Sequence, residues 1–574
     1  MIEYFGLSRD PEYRRMMADK RHFWKSKGWT LLEYDPDSLH GDVGSALPIA
    51  LEEDLVRMGV RLRRRSDEEL WEARGRQLRL SISRLISQLI GRCRKASLSP
   101  EDLSRRLQKH NPVDPIEADV LGLLSEAYSA YLETLRKNEE EDFEGLLQRS
   151  ISMVRSGAWE FGRRDLRGDV RRIRHVLVDE FQDVAPLFWE LVEAVRGVCA
   201  QDAKVFGVGD DWQAINGFAG SSPRFLRDFP SLLQPSAVLG LLTNYRSSCA
   251  VIDAGNAIMS GQGAPARPVA RAPRGQALLA DLGGFEPSVL ETHHWRGDRV
   301  TPALRRLIAG PVAEGRTVAV LARQRFTPYP MSDRAIGFNN GPVDSPSDLD
   351  RLRRLVCEGM DAKSRERVLF DTVHAFKGRE ADYVVVLDAV EGRFPKVHPD
   401  WVFGRVLGDS LESLLEDERR LFYVGCSRAA STLVILTEGS RKCSFLPEIE
   451  SKFTALRWDF LRPACPRDGD WLMMIDGAEG EGSEPTFQRR DALKARGFSY
   501  FGSDAGGVWH LRFPGDMNVA EISAKIPKAL WFPGPAGLRI RLMHGDGLVA
   551  AEFIVASDQS VDGGLRLAPR YVGR

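Results

Sequence analysis

The stretch Val176–Val192, VLVDEFQDVAPLFWELV, decides how the rest of this chain is read. A β-branched run ends in the adjacent carboxylates Asp179 and Glu180, and Gln182 and Asp183 follow before an apolar, aromatic-rich helix. A strand that delivers carboxylates to its C-terminal edge suits a nucleotide-hydrolysing site. Asp can hold Mg²⁺ through water, and Glu can orient an attacking water. Acidic pairs at strand ends also serve as helix caps, so the pair needs company to mean more.

That company lies further along the chain. VGDDWQAINGF (Val208–Phe218) is a second strand ending in carboxylates, with Gln213 available as a γ-phosphate sensor. LTNYRSS (Leu242–Ser248) offers Arg246 beside an aromatic, a placement shared by many surface arginines. DTVHAFKGREADYVVVLDAV (Asp371–Val390) combines a strand with a His/Lys/Gly loop. Gly378 permits close backbone approach to a ligand there, and Glu380 can take a ribose hydroxyl. EDERRLFYVGCSRAASTLVIL (Glu416–Leu436) is a helix that sets Arg428 just before the next strand, where a planar guanidinium can neutralise a transferring phosphate. Each signal is weak alone; five in this order are not.

The bulk composition is permissive. A length of 574 residues exceeds one core and predicts several domains, while 43% hydrophobic and 28% charged residues are ordinary for a globular protein. The net charge of −1 hides basic clusters at Arg61–Arg65, around Arg92 and from Gly162 to His175, which suit phosphates or plain solvated helix faces. The seven cysteines form no C-x-x-C pair, which argues against a zinc ribbon, an iron–sulfur cluster or a disulfide framework and suits a reducing cytoplasm. No apolar run approaches membrane-spanning length, and the first residues do not read as a signal peptide, so no membrane partner is expected.

The pattern predicts an α/β protein with parallel sheets, a helical insertion and a small α+β C-terminal domain. Residues 1–40 read as strand–helix–strand, and 41–160 as a helical subdomain with apolar positions every three or four residues. Buried β-branched strands then alternate with helices, which predicts ligands at the strand C-terminal ends. The expected divisions are 161–235 and 236–450 for two lobes, 451–485 for a linker and 486–574 for the accessory domain.

VDEFQD, VGDDWQAI, HAFKGREADYV and RRLFYVGCSRA together resemble the UvrD/Rep family of superfamily 1 DNA helicases, nearest its DNA helicase IV branch, over about residues 170–440. The resemblance implies two RecA-like lobes with ATP and Mg²⁺ in the cleft between them. Asp179 and Glu180 would serve metal and water, and Gln213, Arg246 and Arg428 the γ-phosphate. Gln182, Gly378 and Glu380 would lie against the nucleotide. It also implies 3′→5′ movement on single-stranded or partly duplex DNA, with Phe218 and His374 at the strand. Where relatives usually carry an aromatic and often an arginine, this chain has Asn216 and Ala219. A lost stacking ring costs ~1–3 kcal/mol per base.

One part is missing. No G-x-x-x-x-G-K-[S/T] phosphate loop occurs anywhere in the chain. In the family that loop lies upstream of the helical insertion, and some helicase IV-like proteins carry a nuclease-like insertion between the two. Glu3 and Lys20 resemble half of such a nuclease site, or a surface ion pair. The expectation is therefore an ATPase site completed by a partner polypeptide with the Walker A loop, a truncated helicase, or a non-hydrolysing DNA-binding or regulatory subunit.

Overall fold

The structure is a computed structural model. It describes residues 2–4, 17, 21, 30–35, 43–60, 82–163, 166–200, 202–288, 291, 295, 297–326, 347–461, 471–477, 486, 490–501, 508–513, 521–522, 538–543, 549–555 and 567–572. The chain divides into two units, residues 1–87 and 88–574. Among the described residues no helix is long and apolar enough to cross a membrane, and the six described cysteines are free thiols.

In the first unit, Ile2–Tyr4 pairs in parallel with Leu32–Tyr34, and the helix Val43–Arg57 follows. The buried Tyr34 hydroxyl donates to Asp54 at 2.8 Å. Burial and that carboxylate push its pKa up to about 12. Glu3 lies on the first strand, and Lys20 falls outside the described residues.

The second unit opens on the helical subdomain. Its helices Pro100–Lys109, Pro115–Asn138 and Phe143–Arg155 start where Ser99, Asp114 and Asp142 cap their first-turn amides. Asp142 also holds the buried Arg94 through two hydrogen bonds. This subdomain is tied to the chain's later half. Arg92 grips Asp409 with both guanidinium arms at 2.7 and 2.5 Å. The fully buried Glu117 accepts from the Val113 amide and from Arg405 and is hydrogen-bonded to His110 Nε2. Burial alone would raise its pKa, but those partners outweigh it and hold the carboxyl below its usual range.

The first lobe contains the parallel strands His175–Val178 and Lys204–Gly207, followed respectively by the helices Pro186–Val198 and Arg224–Arg227. One face of this pair packs through Val178 and Val205 on Phe181, Trp189 and Phe225. The second lobe is larger, a six-stranded sheet in the order Val368–Thr372, Val318–Ala322, Ala381–Val386, Ala429–Thr437, Gln276–Asp281, Thr454–Ala455, all parallel. Separate apolar clusters cover its two faces, so Val318–Ala322 is buried along its whole length. Architecture and register match the α/β reading with RecA-like lobes.

The C-terminal sheet is antiparallel, ordered Ser499–Phe501, Val508–Phe513, Trp471–Gly477, Leu538–Met543, Val549–Val555, Leu567–Val572. The structure departs here from the linker expected over 451–485. Thr454–Ala455 extends the second-lobe sheet, and Trp471–Gly477 is a central strand paired on both sides. The reason is its unbroken apolar run. Trp471, Met473 and Ile475 enter one core while Leu472 and Met474 are buried on the other face.

Candidate active site

The strand His175–Val178 ends at Asp179, whose carboxylate accepts the Glu180 amide at 2.8 Å and is otherwise open to solvent. Glu180 then takes a left-handed backbone conformation, φ 49°, before the short turn Phe181–Asp183. A glutamate there is strained by about 1–2 kcal/mol, a cost the surrounding packing must hold in place.

Gln182 is the buried hinge of the site. Its Nε2 donates to Glu180 Oε2 at 2.5 Å, and its Oε1 accepts the Asp210 amide at 3.0 Å. The side chain fits because Gly209 lies against it. A Cβ at Gly209 would sit 2.6 Å from that same Oε1. Asp210 in turn accepts from Gln213 Nε2 at 2.7 Å, and burial raises its pKa. One amide thus locks the two carboxylate-bearing strand ends in register.

The second lobe meets these groups directly. Arg428 is 1% exposed, and its guanidinium donates to the Val424 carbonyl at 3.0 Å, Ser427 Oγ at 3.0 Å and Gln213 Oε1 at 3.3 Å. Every one of those acceptors is neutral. Burial and the nearby Arg246 pull the Arg428 pKa down to about 10, so it stays charged at neutral pH. Lys377 crosses the same cleft, donating to Asp183 at 2.6 Å and the Gln213 carbonyl at 3.0 Å. Arg420 crosses beside it to the Ala214 carbonyl at 3.1 Å.

The residues singled out in the sequence therefore fall into three groups. Asp179, Glu180, Gln182, Gln213 and Arg428 share one network. Arg246 and Glu380 pair with each other at 2.7 Å at the rim of the cleft, and Gly378 turns there with φ 81° and open space around it. Phe218 is 64% exposed and meets the His374 ring edge-on at 5.5 Å. Burial, with Arg323 and Lys377 close by, drops the His374 pKa to about 4, which keeps the ring neutral.

Asp183, Asp210 and Lys377 are functional neighbours that sequence reading left unassigned, although they stand inside the quoted motifs. Arg420 also stands inside a quoted motif and was given no role, because nothing in its local spacing separates it from Arg419. Here Arg420 is buried while Arg419 reaches Glu448 at the surface.

Comparison with known proteins identifies the family. The model of the UvrD/REP helicase N-terminal domain matches residues 24–234, and that of the UvrD-like helicase C-terminal domain matches residues 350–439. DNA helicase IV of Escherichia coli is 25% identical over 312 residues, 54% of this chain and 38% of that protein. A probable DNA helicase of Mycoplasma pneumoniae is 25% identical over 319 residues, 54% of this chain and 51% of its own length. ATP-dependent DNA helicase UvrD2 of Mycobacterium tuberculosis is 34% identical over 163 residues, 26% of this chain and 21% of its own. The chain thus spans about half or less of the length of these relatives. With both lobes, the strand-end carboxylates and the facing arginines in place, the chain belongs to the UvrD/Rep family of superfamily 1 helicases.

Proposed function

We propose that this chain is part of a UvrD-type motor that couples ATP hydrolysis to 3′→5′ movement along DNA, working with a phosphate-binding loop that lies outside these 574 residues. The observation that carries this reading is Arg428, a buried guanidinium with only neutral acceptors, aimed across the cleft at Gln213. A buried guanidinium that makes no direct ion pair, with Asp210 and Glu180 acting on it only from a distance, is costly to hold, so such a group suits an anion that arrives later.

The residues fit the terminal phosphate and metal end of Mg·ATP. The Arg428 guanidinium suits a phosphoryl oxygen, and the open Asp179 carboxylate suits the water shell of Mg²⁺. A magnesium ion held by one carboxylate would draw its other ligands from water and phosphate. Bound Mg·ATP would supply the phosphoanhydride whose cleavage drives movement.

Around it, the Glu180 carboxylate takes a proton from the attacking water, and Gln213 orients that water while sensing the phosphate. Arg428 and Arg246 neutralise the developing charge. Phe218 stacks a base from its exposed ring, and His374 supports it as a neutral edge. Lys377, held by Asp183 and the Gln213 carbonyl, links the two lobes between the strand and the nucleotide.

The test is ATP hydrolysis with single-stranded DNA, measured for the chain alone and with a separately expressed loop-bearing first-lobe segment. Activity in the mixture that disappears in Arg428→Ala is the expected result. Silence in both samples would sink the motor reading. It would favour a non-hydrolysing DNA-binding subunit, the alternative suggested by the absent phosphate loop.

A further inference from the structure

The helix Pro115–Asn138 buries one row of side chains and leaves a neighbouring apolar row open. Glu117, Leu121, Leu124 and Tyr128 face the helical subdomain at 2% exposure or less. Beside them run Val113, just ahead of the helix, then Ile116, Val120, Leu123, Ala127 and Ala130, at spacings that alternate between three and four residues. That alternation is the seam of a heptad repeat. Val113 is 63% exposed, Ile116 66% and Leu123 44%, and the space around Gly122 is open. Single exposed apolar residues are ordinary on a protein surface, whereas a seam at this spacing is the face one helix offers another.

The charge beside the seam selects what fits it. Asp119, Glu126 and Glu133 recur every seven residues along its open flank, and all three are exposed. These are the positions that meet the flanking charges of a docked helix. Glu133 pairs with Arg136 on the same helix, and Asp119 and Glu126 form no ion pair among the described residues. We infer that this face docks an amphipathic helix of a partner protein, one with aliphatic residues at heptad spacing flanked by lysines or arginines. The aliphatic side chains cover Ile116 and Leu123, and the basic ones meet the acidic row. A second copy of the chain would set acid against acid, and a nucleic acid would set phosphate against it. None of these residues belongs to the cleft network, so the surface stands apart from the ATPase reading.

The test uses the full chain and a synthetic helical peptide about three heptads long, with leucine in the seam and lysine on both flanks. The same peptide with glutamate flanks is the control. Fluorescence anisotropy measures binding, and hydrogen–deuterium exchange maps it. The expected result is saturable binding of the lysine peptide and not of its control, with slowed exchange along Pro115–Asn138. Ile116→Asp/Leu123→Asp should weaken binding about tenfold or more, although it adds negative charge. Asp119→Lys/Glu126→Lys should reverse the preference, so that the glutamate peptide binds instead. Both variants should melt within about 2 °C of the parent, because the altered side chains are exposed.

Lysine-peptide binding that survives Ile116→Asp/Leu123→Asp is attraction to acidic surface in general and overturns the docking face. So does an unchanged preference in Asp119→Lys/Glu126→Lys, protection elsewhere on the chain, or no binding at all. Self-association of the parent that disappears in Ile116→Asp/Leu123→Asp would give the seam to a second copy, and slowed exchange of this helix with single-stranded DNA would give it to nucleic acid. Either overturns the partner helix. A melting temperature lowered by more than about 5 °C in Ile116→Asp/Leu123→Asp overturns it too, since the seam would then be covered by the chain's own residues.

Discussion

The two lobes use the same local grammar and end in different states of completion. In the second, Val320 and Val385 sit on neighbouring parallel strands with zero exposure, because helices cover both sides of six strands. In the first, Leu177 and Phe206 sit on equally parallel strands and face water. A β-branched run ending in a carboxylate therefore specifies a strand and its direction. The neighbours available to it specify whether that strand is buried.

Substitutions can break or sharpen that contrast. The largest effect belongs to Val385→Asp, which strands a charge between two apolar layers. It should cost more than ~4 kcal/mol in denaturant unfolding and abolish cooperative folding of the lobe. Next is Arg428→Ala, expected to lower kcat by about 10³-fold or more in the mixture with a loop-bearing segment. A loss below tenfold would mean that Arg428 does not face the transferring phosphate.

His374 makes the site sensitive to acid. Its pKa of about 4 in the fold lies below its ordinary value of ~6.5, so the unfolded chain binds the extra proton first. Its contribution to stability is full above pH ~6.5 and is lost as pH falls towards 4. Going from pH 7 to 4.5 should cost about 2 kcal/mol through this group, and His374→Gln should flatten that part of the stability profile. Phe218→Ala should weaken single-stranded DNA binding by ~1–3 kcal/mol per stacked base while leaving the melting temperature unchanged, because the ring is exposed. The smallest effect belongs to Leu177→Asp, the counterpart of Val385→Asp, at within about 0.5 kcal/mol in the isolated chain.

Much of the site was legible in the sequence because its residues sit in short runs whose spacing is local. Asp179, Glu180 and Gln182 needed only one strand and one turn. What escaped reading depended on partners far away in sequence. Arg92 and Asp409 meet across 317 positions, and no spacing within either neighbourhood announces it. Arg420 looks like its solvated neighbour until the Ala214 carbonyl appears opposite. The strand Gln276–Asp281 was missed, although it pairs with both Ala429–Thr437 and Thr454–Ala455. Trp471–Gly477 was hidden by flanks rich in Gly, Pro and Asp, which read as linker.

The left-handed backbone at Glu180 has an implication for how this protein would respond to selection. Glycine adopts that conformation without the steric penalty a Cβ incurs, so Glu180→Gly removes a strain of about 1 kcal/mol. It also removes the carboxylate that accepts from the buried Gln182 Nε2, and a buried donor left unpaired costs about 1–3 kcal/mol. Selection for heat resistance alone would therefore gain nothing by giving up the glutamate, because the hydrogen bond it supplies is worth at least the strain it carries.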